Sequence, residues 1–208
     1  MYFNRRQILT KNIKAANIST RTICHYMKNQ ILAIEAEVEE LVDDPTDAEV
    51  KDRVLSRIDS TYQKLDLIHR STSDNVLNLS LVKAINVVNA SIQDILKDAQ
   101  MKNITIEKKG FDLSDIILCD PVLLQQAFYE VLKNAIDAME FCNKKILTIE
   151  ITREYNSLRV SIRDTGVGIP DTELDRIYNP MYSSKPTGRN WGLGLTLAYQ
   201  IITAHNGI

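Results

Sequence analysis

The sequence of 208 residues predicts an α+β protein, built from an N-terminal antiparallel helical hairpin and a two-layer α/β sandwich. In residues 1–75, two long stretches carry apolar residues at spacings of three and four, which is typical of amphipathic helices. In residues 76–208, helical patterns are interleaved with short runs that favour strands, and elements in this order favour a sandwich. A content of 44% hydrophobic and 25% charged residues suits a globular chain of this length.

Composition and charge narrow the classes of function. The net charge of −2 gives no electrostatic argument for binding nucleic acid or an anionic membrane. The cysteines Cys24, Cys119 and Cys142 are widely spaced and odd in number, which favours a reducing compartment and argues against structural zinc. No apolar run approaches the roughly 20 residues needed to span a bilayer. We therefore expect a cytoplasmic protein, or the cytoplasmic part of a protein whose membrane segment lies upstream.

The hairpin is predicted from two apolar seams. Residues 5–42 contain neither glycine nor proline and predict one long helix, which the stretch 43–47 ends. Thr46 or Asp47 is expected to cap a second helix. The first seam consists of Ile23, Met27, Ile31, Ile34, Val38 and Leu41, and the second of Val50, Val54, Ile58, Tyr62, Leu65 and Ile68. Because one partner helix cannot cover either seam completely, we expect a homodimer in the form of a four-helix bundle.

His25 is placed by the phase of the first seam. At about 100° per residue it lies opposite that seam and faces water, with Asn29 beside it one turn on. An exposed histidine on a helix is usually solvated surface, so this position alone predicts no function. His205, which ends the last predicted helix, is interpreted as a cation that suits the helix dipole.

The second part of the chain begins after a polar stretch, residues 71–75, which we interpret as a hinge. A helix is predicted from the spacing of Leu81, Ile85, Val88, Ile92 and Ile95. Another helix is predicted to begin at Pro121, since proline is tolerated in the first turn of a helix. Strands are predicted at residues 104–106, 116–118, 145–152 and 157–163.

Three polar residues of the helix that begins at Pro121 form one stripe. Glu130, Asn134 and Asp137 recur at i, i+4 and i+7, and the other faces of this helix are apolar. A carboxylate and a carboxamide one turn apart can together hold a hydrated Mg²⁺ ion, which prefers oxygen ligands. The stripe is therefore a candidate magnesium site.

Two glycine-rich segments are candidate ligand-binding turns. Asp164 follows a predicted strand and precedes Gly166 and Gly168, which allow the backbone to approach a ligand closely. A second glycine-rich loop, residues 188–194, opens a predicted helix at 195–202, and backbone N–H groups at a helix start favour phosphate. Alone, the first pattern is a weak signal, because any tight turn after a strand uses the same residue types.

In this order and spacing, the segments resemble the ATP-binding domain shared by sensor histidine kinases, gyrase B, Hsp90 and MutL. The matching residues are Asn134 in the N box, Asp164, Gly166 and Gly168 in the first glycine box, and Gly192 and Gly194 in the second. Residues 177–186 look like the F box of the kinases, with tyrosine and methionine where phenylalanines are usual. Residues 25–30, His-Tyr-Met-Lys-Asn-Gln, resemble the kinases' H box, H-E-x-K-N-P. Tyr26 replaces the usual acidic residue of the H box, and Gln30 replaces the usual proline.

This resemblance implies an ATP-dependent protein histidine kinase of a two-component system. Residues 1–75 would form a dimerisation and histidine-phosphotransfer hairpin, and residues 76–208 an ATP-binding domain. His25 would receive the γ-phosphoryl group and pass it to an aspartate of a response regulator, and Asn29 would position a water for dephosphorylation. By the same resemblance, Asp164 would accept a hydrogen bond from the adenine amino group, Asn134 would ligate Mg²⁺, Lys185 would contact phosphate, and Gly166, Gly168, Gly192 and Gly194 would let the backbone approach ATP.

The resembled domain continues with two more strands after its last helix, whereas this sequence ends at residues 207–208. We therefore expect a truncated or naturally degenerate domain. Its sheet should have an uncovered edge.

Three alternatives stay open from the sequence. Glu130 occupies the position of the water-activating glutamate of gyrase-type and Hsp90-type ATPases, which favours hydrolysis. Tyr26, Gln30 and the missing strands favour a degenerate kinase that acts as a phosphotransferase or scaffold. The third alternative is a purely structural dimer module, against which the intact glycine boxes argue.

Overall fold

A computed structural model describes residues 20–72, 77–180, 182 and 192–208 of the chain. The helices are α1 (Thr20–Asp43), α2 (Ala48–Thr72), α3 (Ala84–Met101), α4 (Pro121–Ala138) and α5 (Gly194–Ala204). The strands are β1 (Ser80–Lys83), β2 (Thr105–Lys109), β3 (Ile116–Cys119), β4 (Ile146–Glu154) and β5 (Ser157–Arg163). This order confirms the predicted α+β class. No helix within the described ranges is both long and apolar enough to cross a membrane.

The hairpin turn between α1 and α2 is held by a side-chain cap. The Oδ1 atom of Asp47 accepts hydrogen bonds from the backbone N–H groups of Glu49 at 2.9 Å and Val50 at 3.0 Å. These two donors have no partner within the first turn of a helix, so the cap stabilises the start of α2. Of the two caps predicted from the sequence, the structure confirms Asp47.

The contact between α1 and α2 is partly polar. Arg57 of α2 donates two hydrogen bonds to the carboxylate of Glu37 of α1, from Nε at 2.9 Å and from Nη2 at 2.6 Å. Further towards the start of α1, Tyr26 and Gln30 are buried, and Val54 of α2 is also buried. Polar and apolar side chains therefore share the surface that joins the two helices.

Much of the predicted apolar seam remains exposed in the single chain. The exposed fraction is 39% for Met27, 49% for Ile31 and 43% for Ile58. These residues lie on faces of α1 and α2 that the partner helix does not cover. The hairpin thus presents an apolar stripe that one copy of the chain leaves open to solvent.

The second part of the chain is a two-layer sandwich, as predicted. Strand β4 pairs in parallel with β2 and antiparallel with β5, and β1 and β3 form a separate antiparallel ribbon. Helices α3 and α4 pack against the three-stranded sheet. The core between these layers includes Val88, Ile92, Ile95, Leu132, Ile136, Leu147, Ile149 and Ile151. In the described part of the chain, β5 pairs with β4 alone, so its other edge carries no strand.

The prediction that Leu81 belongs to a helix is wrong. Leu81 lies in β1, directly opposite Leu118 of β3, and α3 begins at Ala84. Leu81 happens to continue the helical spacing of the apolar residues that follow it, but pairing with β3 decides its conformation. That pairing is a contact between residues distant in the sequence, which local spacing does not report.

The start of α4 and the end of α5 are tied together at Asp120 and His205. The buried carboxylate of Asp120 accepts hydrogen bonds from the backbone N–H groups of Val122 at 3.2 Å and Leu123 at 3.1 Å, which caps α4. The backbone N–H of Asp120 donates to Nε2 of His205 at 2.9 Å, and Nδ1 of His205 lies 2.7 Å from the carbonyl oxygen of Ile201. An imidazole that accepts at Nε2 and donates from Nδ1 is neutral. His205 is therefore a structural connector and not the cation that the sequence analysis expected at this helix end.

We expect His205→Ala to lower the free energy of unfolding by about 1–3 kcal/mol, because the N–H of Asp120 loses its acceptor at a partly buried position. Urea denaturation would measure this change. Thr203→Ala, at an exposed position of the same helix, is the matched control and should change stability by no more than ~0.5 kcal/mol. Equal effects of the two substitutions would contradict the assigned role.

Candidate functional site

One face of α4 organises the candidate site. Glu130, Asn134 and Ala138 are spaced at i, i+4 and i+8, so they follow one another along the same face of the helix. The two glycine boxes contact the first and the last of these residues. Asn134 consequently lies one turn from each contact.

The first glycine box packs against the C-terminal end of α4. The Oδ1 atom of Asp164 accepts a hydrogen bond from the N–H of Gly166 at 2.8 Å, and the N–H of Val167 donates to the carbonyl oxygen of Ala138 at 3.2 Å. A Cβ atom at position 166 would lie 2.7 Å from the Cβ of Ala138 and 2.7 Å from Oδ1 of Asp164. Any larger residue would push the turn away from α4. Gly168 has a φ of +73°, a conformation that other residues rarely adopt.

Thr165 fixes this turn to the sheet, and the sequence analysis missed it. Its Oγ1 atom donates to the carbonyl oxygen of Lys144 at 2.7 Å and accepts from the N–H of Ile146 at 3.0 Å. The start of β4 is thereby tied to the turn that presents Asp164. A threonine inside a tight turn was the only signal in the sequence, and turns commonly contain this residue type.

The second glycine box contacts α4 at Glu130. Gly194 is the first residue of α5, and a Cβ atom at this position would lie 2.5 Å from Oε2 of Glu130. Gly192 has a φ of +64°. The other carboxylate oxygen of Glu130 accepts a hydrogen bond from Nε2 of Gln126 at 2.7 Å. A carboxylate at the start of α5 suits the helix dipole, so this position favours negative charge.

The segment matched to the F box meets α5 through a buried hydroxyl that the sequence analysis also missed. The Oγ1 atom of Thr196 is buried and donates to the carbonyl oxygen of Tyr178 at 3.0 Å. The rings of Tyr178 and Tyr199 pack with centroids 5.2 Å apart. The phosphate contact predicted at Lys185 lies outside the described residues.

Asp137, the third member of the polar stripe, is engaged away from the glycine boxes. Its Oδ1 atom accepts a hydrogen bond from Nζ of Lys102 at 3.2 Å. This ion pair joins α4 to the residue that follows α3. Asp137 therefore helps to fix α4, and Glu130 and Asn134 are the two other polar residues of the stripe.

His25 is exposed, as expected from the phase of the helix. The Nδ2 atom of Asn29 lies 3.2 Å from Nδ1 of His25. If the amide donates, the hydrogen of the neutral imidazole is on Nε2. If the amide oxygen instead accepts from Nδ1–H, Nε2 carries the free lone pair. Asn29 is thus placed to select which nitrogen of His25 is nucleophilic.

Tyr26 and Gln30 are buried, with exposed fractions of 1% and 4%. Burial raises the pKa of the Tyr26 phenol; a hydrogen bond with Thr61 opposes the rise, and the nearby charge of Glu130 adds to it. A phenol with a raised pKa is a poor proton acceptor at neutral pH. Tyr26 therefore does not replace the acidic residue of the H box as a base.

The donor set near the glycine boxes fits a magnesium ion that arrives with a nucleotide. Mg²⁺ usually keeps several waters and binds one or two protein groups together with phosphate oxygens. Glu130 and Asn134 provide a carboxylate and a carboxamide one turn apart. The described residues contain no group of three or more His, Cys, Asp or Glu side chains that could hold a metal.

Comparison with known proteins identifies a domain family in the second half of the chain. Residues 119–208 match the family described as histidine kinase-, DNA gyrase B-, and HSP90-like ATPase. Sporulation kinase B of Bacillus subtilis (strain 168) is 28% identical over 197 residues, which cover 89% of this chain and 44% of that relative. The chain thus spans less than half the length of this curated relative.

Two solved structures share the fold. The histidine kinase AdeS of Acinetobacter baumannii has a TM-score of 0.65 at 19% identity, over 86% of each chain. The histidine kinase ThkA, solved in complex with the response regulator protein TrrA, has a TM-score of 0.65 at 18% identity, over 99% of this chain and 60% of ThkA. The family match and the curated relative show that the chain carries a catalytic domain of the histidine kinase type, and the two solved structures share its fold.

Proposed function

We propose that the protein is an ATP-dependent histidine autokinase of a two-component signalling system. The observation that carries the proposal is the contact of both glycine boxes with one face of α4, on either side of Asn134. Residues 76–208 form the ATP-binding domain in this proposal. Residues 1–75 form the dimerisation and phosphotransfer hairpin.

In this proposal, nucleotide recognition rests on Asp164, Asn134, Lys185 and the glycines of the two boxes. One oxygen of Asp164 already accepts from Gly166, so its second oxygen is available to the adenine amino group. Gly166, Gly168, Gly192 and Gly194 let the backbone approach the nucleotide, and Lys185 contacts phosphate. Asn134 binds Mg²⁺, which neutralises phosphate charge when it is present.

Phosphoryl transfer is an attack by a ring nitrogen of His25 on the γ-phosphorus of ATP. The new N–P bond forms while the bond between the γ-phosphorus and the bridging oxygen breaks, and ADP leaves with that oxygen. A neutral imidazole already offers a lone pair at neutral pH, so no strong base is required. Asn29 orients the imidazole. In a separate hydrolysis it positions the water that attacks the phosphoaspartate of the regulator, which releases inorganic phosphate. Catalysis then depends on positioning and on charge stabilisation.

The proposed partners are a second copy of the chain and a response regulator. The exposed apolar stripe of the hairpin supports the homodimer, since burial of Met27, Ile31 and Ile58 against a second hairpin would remove apolar surface from water. The complex of the structurally similar ThkA with the response regulator protein TrrA supports the second partner. A receiver aspartate would take the phosphoryl group from His25.

One observation favours a second candidate, an ATPase. The carboxylate of Glu130 lies against Gly194 at the start of α5, where the phosphate end of a nucleotide is expected. A carboxylate there could orient a water for hydrolysis. Acid-labile, alkali-stable label on the protein separates the kinase from this ATPase.

We expect Asp164→Asn to weaken ATP binding about tenfold or more without loss of the fold, because the amide can present a donor to the adenine amino group. Isothermal calorimetry would measure the affinity, and a melting curve would report the fold. Asp171→Asn, at an exposed position just after the glycine box, is the matched control. Unchanged affinity in Asp164→Asn would remove this residue from the site.

We expect His25→Gln to abolish acid-labile labelling from γ-labelled ATP and to leave ATP affinity unchanged, because His25 is exposed on the hairpin and its ring lies beside Asn29 of the same helix. Lys28→Gln, exposed on the same stretch, should keep its label. Full labelling of the His25→Gln protein would remove His25 as the phosphoacceptor. ATP hydrolysis with no acid-labile label on the unmodified protein would shift the assignment to the ATPase built around Glu130.

We expect Ile58→Glu to convert the protein from dimer to monomer, since burial of an unpaired carboxylate in the bundle is costly. Light scattering of the full chain would measure the mass. Ser56→Glu adds the same charge at an exposed polar position two residues away and should stay dimeric. A monomeric unmodified protein at micromolar concentration would contradict the proposed bundle.

A further inference from the structure

Tyr26 is buried to a degree that its neighbours on α1 are not. Its exposed fraction is 1%, whereas Cys24 and His25 are exposed and Met27 has an exposed fraction of 39%. Gln30, one turn further along α1, is also buried, with an exposed fraction of 4%, so both side chains lie on the covered face of this helix.

Two sets of contacts show what lies over Tyr26. Within the hairpin, its hydroxyl is hydrogen-bonded to Thr61 of α2. From the ATP-binding domain, Glu130 of α4 lies close enough for its charge to act on the phenol. In addition, α2 packs directly against α5. Tyr26 is thus enclosed where the hairpin meets the ATP-binding domain.

Tyr26 lies next to the groups proposed for both reactants, the phosphoacceptor histidine and the bound ATP. The residue before Tyr26 in the chain is His25. On the other side, Glu130 touches Gly194, where the second glycine box starts α5. The buried ring consequently lies between the phosphoacceptor and the end of the ATP site at which phosphate is expected.

We propose that Tyr26 is a positioning residue that anchors the ATP-binding domain on the hairpin beside His25. The proposal rests on the autokinase function proposed above. The residue after the histidine would then serve in domain docking. The H box of the family has an acidic residue at this position. The ring supplies the anchor by filling the junction, and the hydroxyl orients the ring towards Thr61.

The anchor should affect the rate of phosphoryl transfer and not the binding of ATP. Docking of the ATP-binding domain on the hairpin aligns the γ-phosphoryl group of ATP with His25. This alignment raises the rate of transfer without changing how ATP itself is bound. The groups proposed to bind the nucleotide, Asp164 and Asn134, both belong to the ATP-binding domain, whereas Tyr26 belongs to the hairpin. Loss of the anchor should therefore lower kcat and leave KM for ATP unchanged.

The test compares Tyr26→Phe, Tyr26→Leu and Tyr26→Ala in the full chain, by autophosphorylation kinetics with γ-labelled ATP. We expect Tyr26→Phe to keep kcat within about threefold because it retains the ring, whereas Tyr26→Leu and Tyr26→Ala should lower kcat about tenfold or more, with KM within about twofold. Tyr155→Ala removes an aromatic ring that is 99% exposed and should match the unmodified protein.

The outcomes separate this inference from the function on which it rests. If Tyr26→Ala loses its cooperative melting transition, the kcat of Tyr26→Leu relative to that of Tyr26→Phe tests the anchoring role instead. A kcat that is equal across the series, or one that rises when the ring is removed, overturns the anchoring role while the autokinase stands. An unmodified protein that acquires no acid-labile label overturns the autokinase function and the anchoring role together.

Discussion

The close approach of two glycine-containing turns to one face of α4 is the constraint on which the site depends. Gly166 meets Ala138 and Gly194 meets Glu130, and these two contacts are separated by eight residues of helix, or about 12 Å. A Cβ atom at Gly166 would clash with the backbone and side chain of Ala138, and one at Gly194 would displace the carboxylate of Glu130. A rigid helix between them holds two loops that are distant in the sequence at a fixed separation, with Asn134 between them.

The helix that sets this separation is itself fixed by polar contacts at both ends. Asp120 caps its start and receives a further bond from the N–H of Asn78 at 3.1 Å. Nearer its C-terminal end, Lys133 pairs with Asp98 and Asp137 pairs with Lys102, which joins α4 to α3 and its C-terminal cap. These partly buried ion pairs restrict sliding of the helix, because moving one partner would leave a charge without its counterion. Geometry at the glycine boxes is thus maintained by residues that do not contact a ligand.

The hairpin is built on a different balance of forces. Its internal contact combines Val54 and Tyr26 with polar pairs such as Glu37–Arg57, while Ile31 and Ile58 stay exposed. Exposed apolar side chains contribute to stability only when a partner covers them, so the stability of the hairpin is linked to its association. The ATP-binding domain has its own core between α3, α4 and the sheet and does not share this dependence.

Local patterns in the sequence were sufficient for the elements and for the chemistry of the candidate site. The start of α4 at Pro121, the cap at Asp47, the full extent of β5 and the turn at Asp164 all follow from residue types that act within a few positions of themselves. The exposure of His25 follows from helix phase in the same way. Each of these features has a cause that is local in the chain.

Only the tertiary structure decided the features that depend on contacts between distant segments. Leu81 joins a strand because β3 pairs with it, and His205 is neutral because the N–H of Asp120 requires an acceptor. Tyr26 becomes buried only when the hairpin folds and brings Thr61 of α2 against its hydroxyl. The local spacing of residue types gives no information about such partners, because they become neighbours only when the chain is folded.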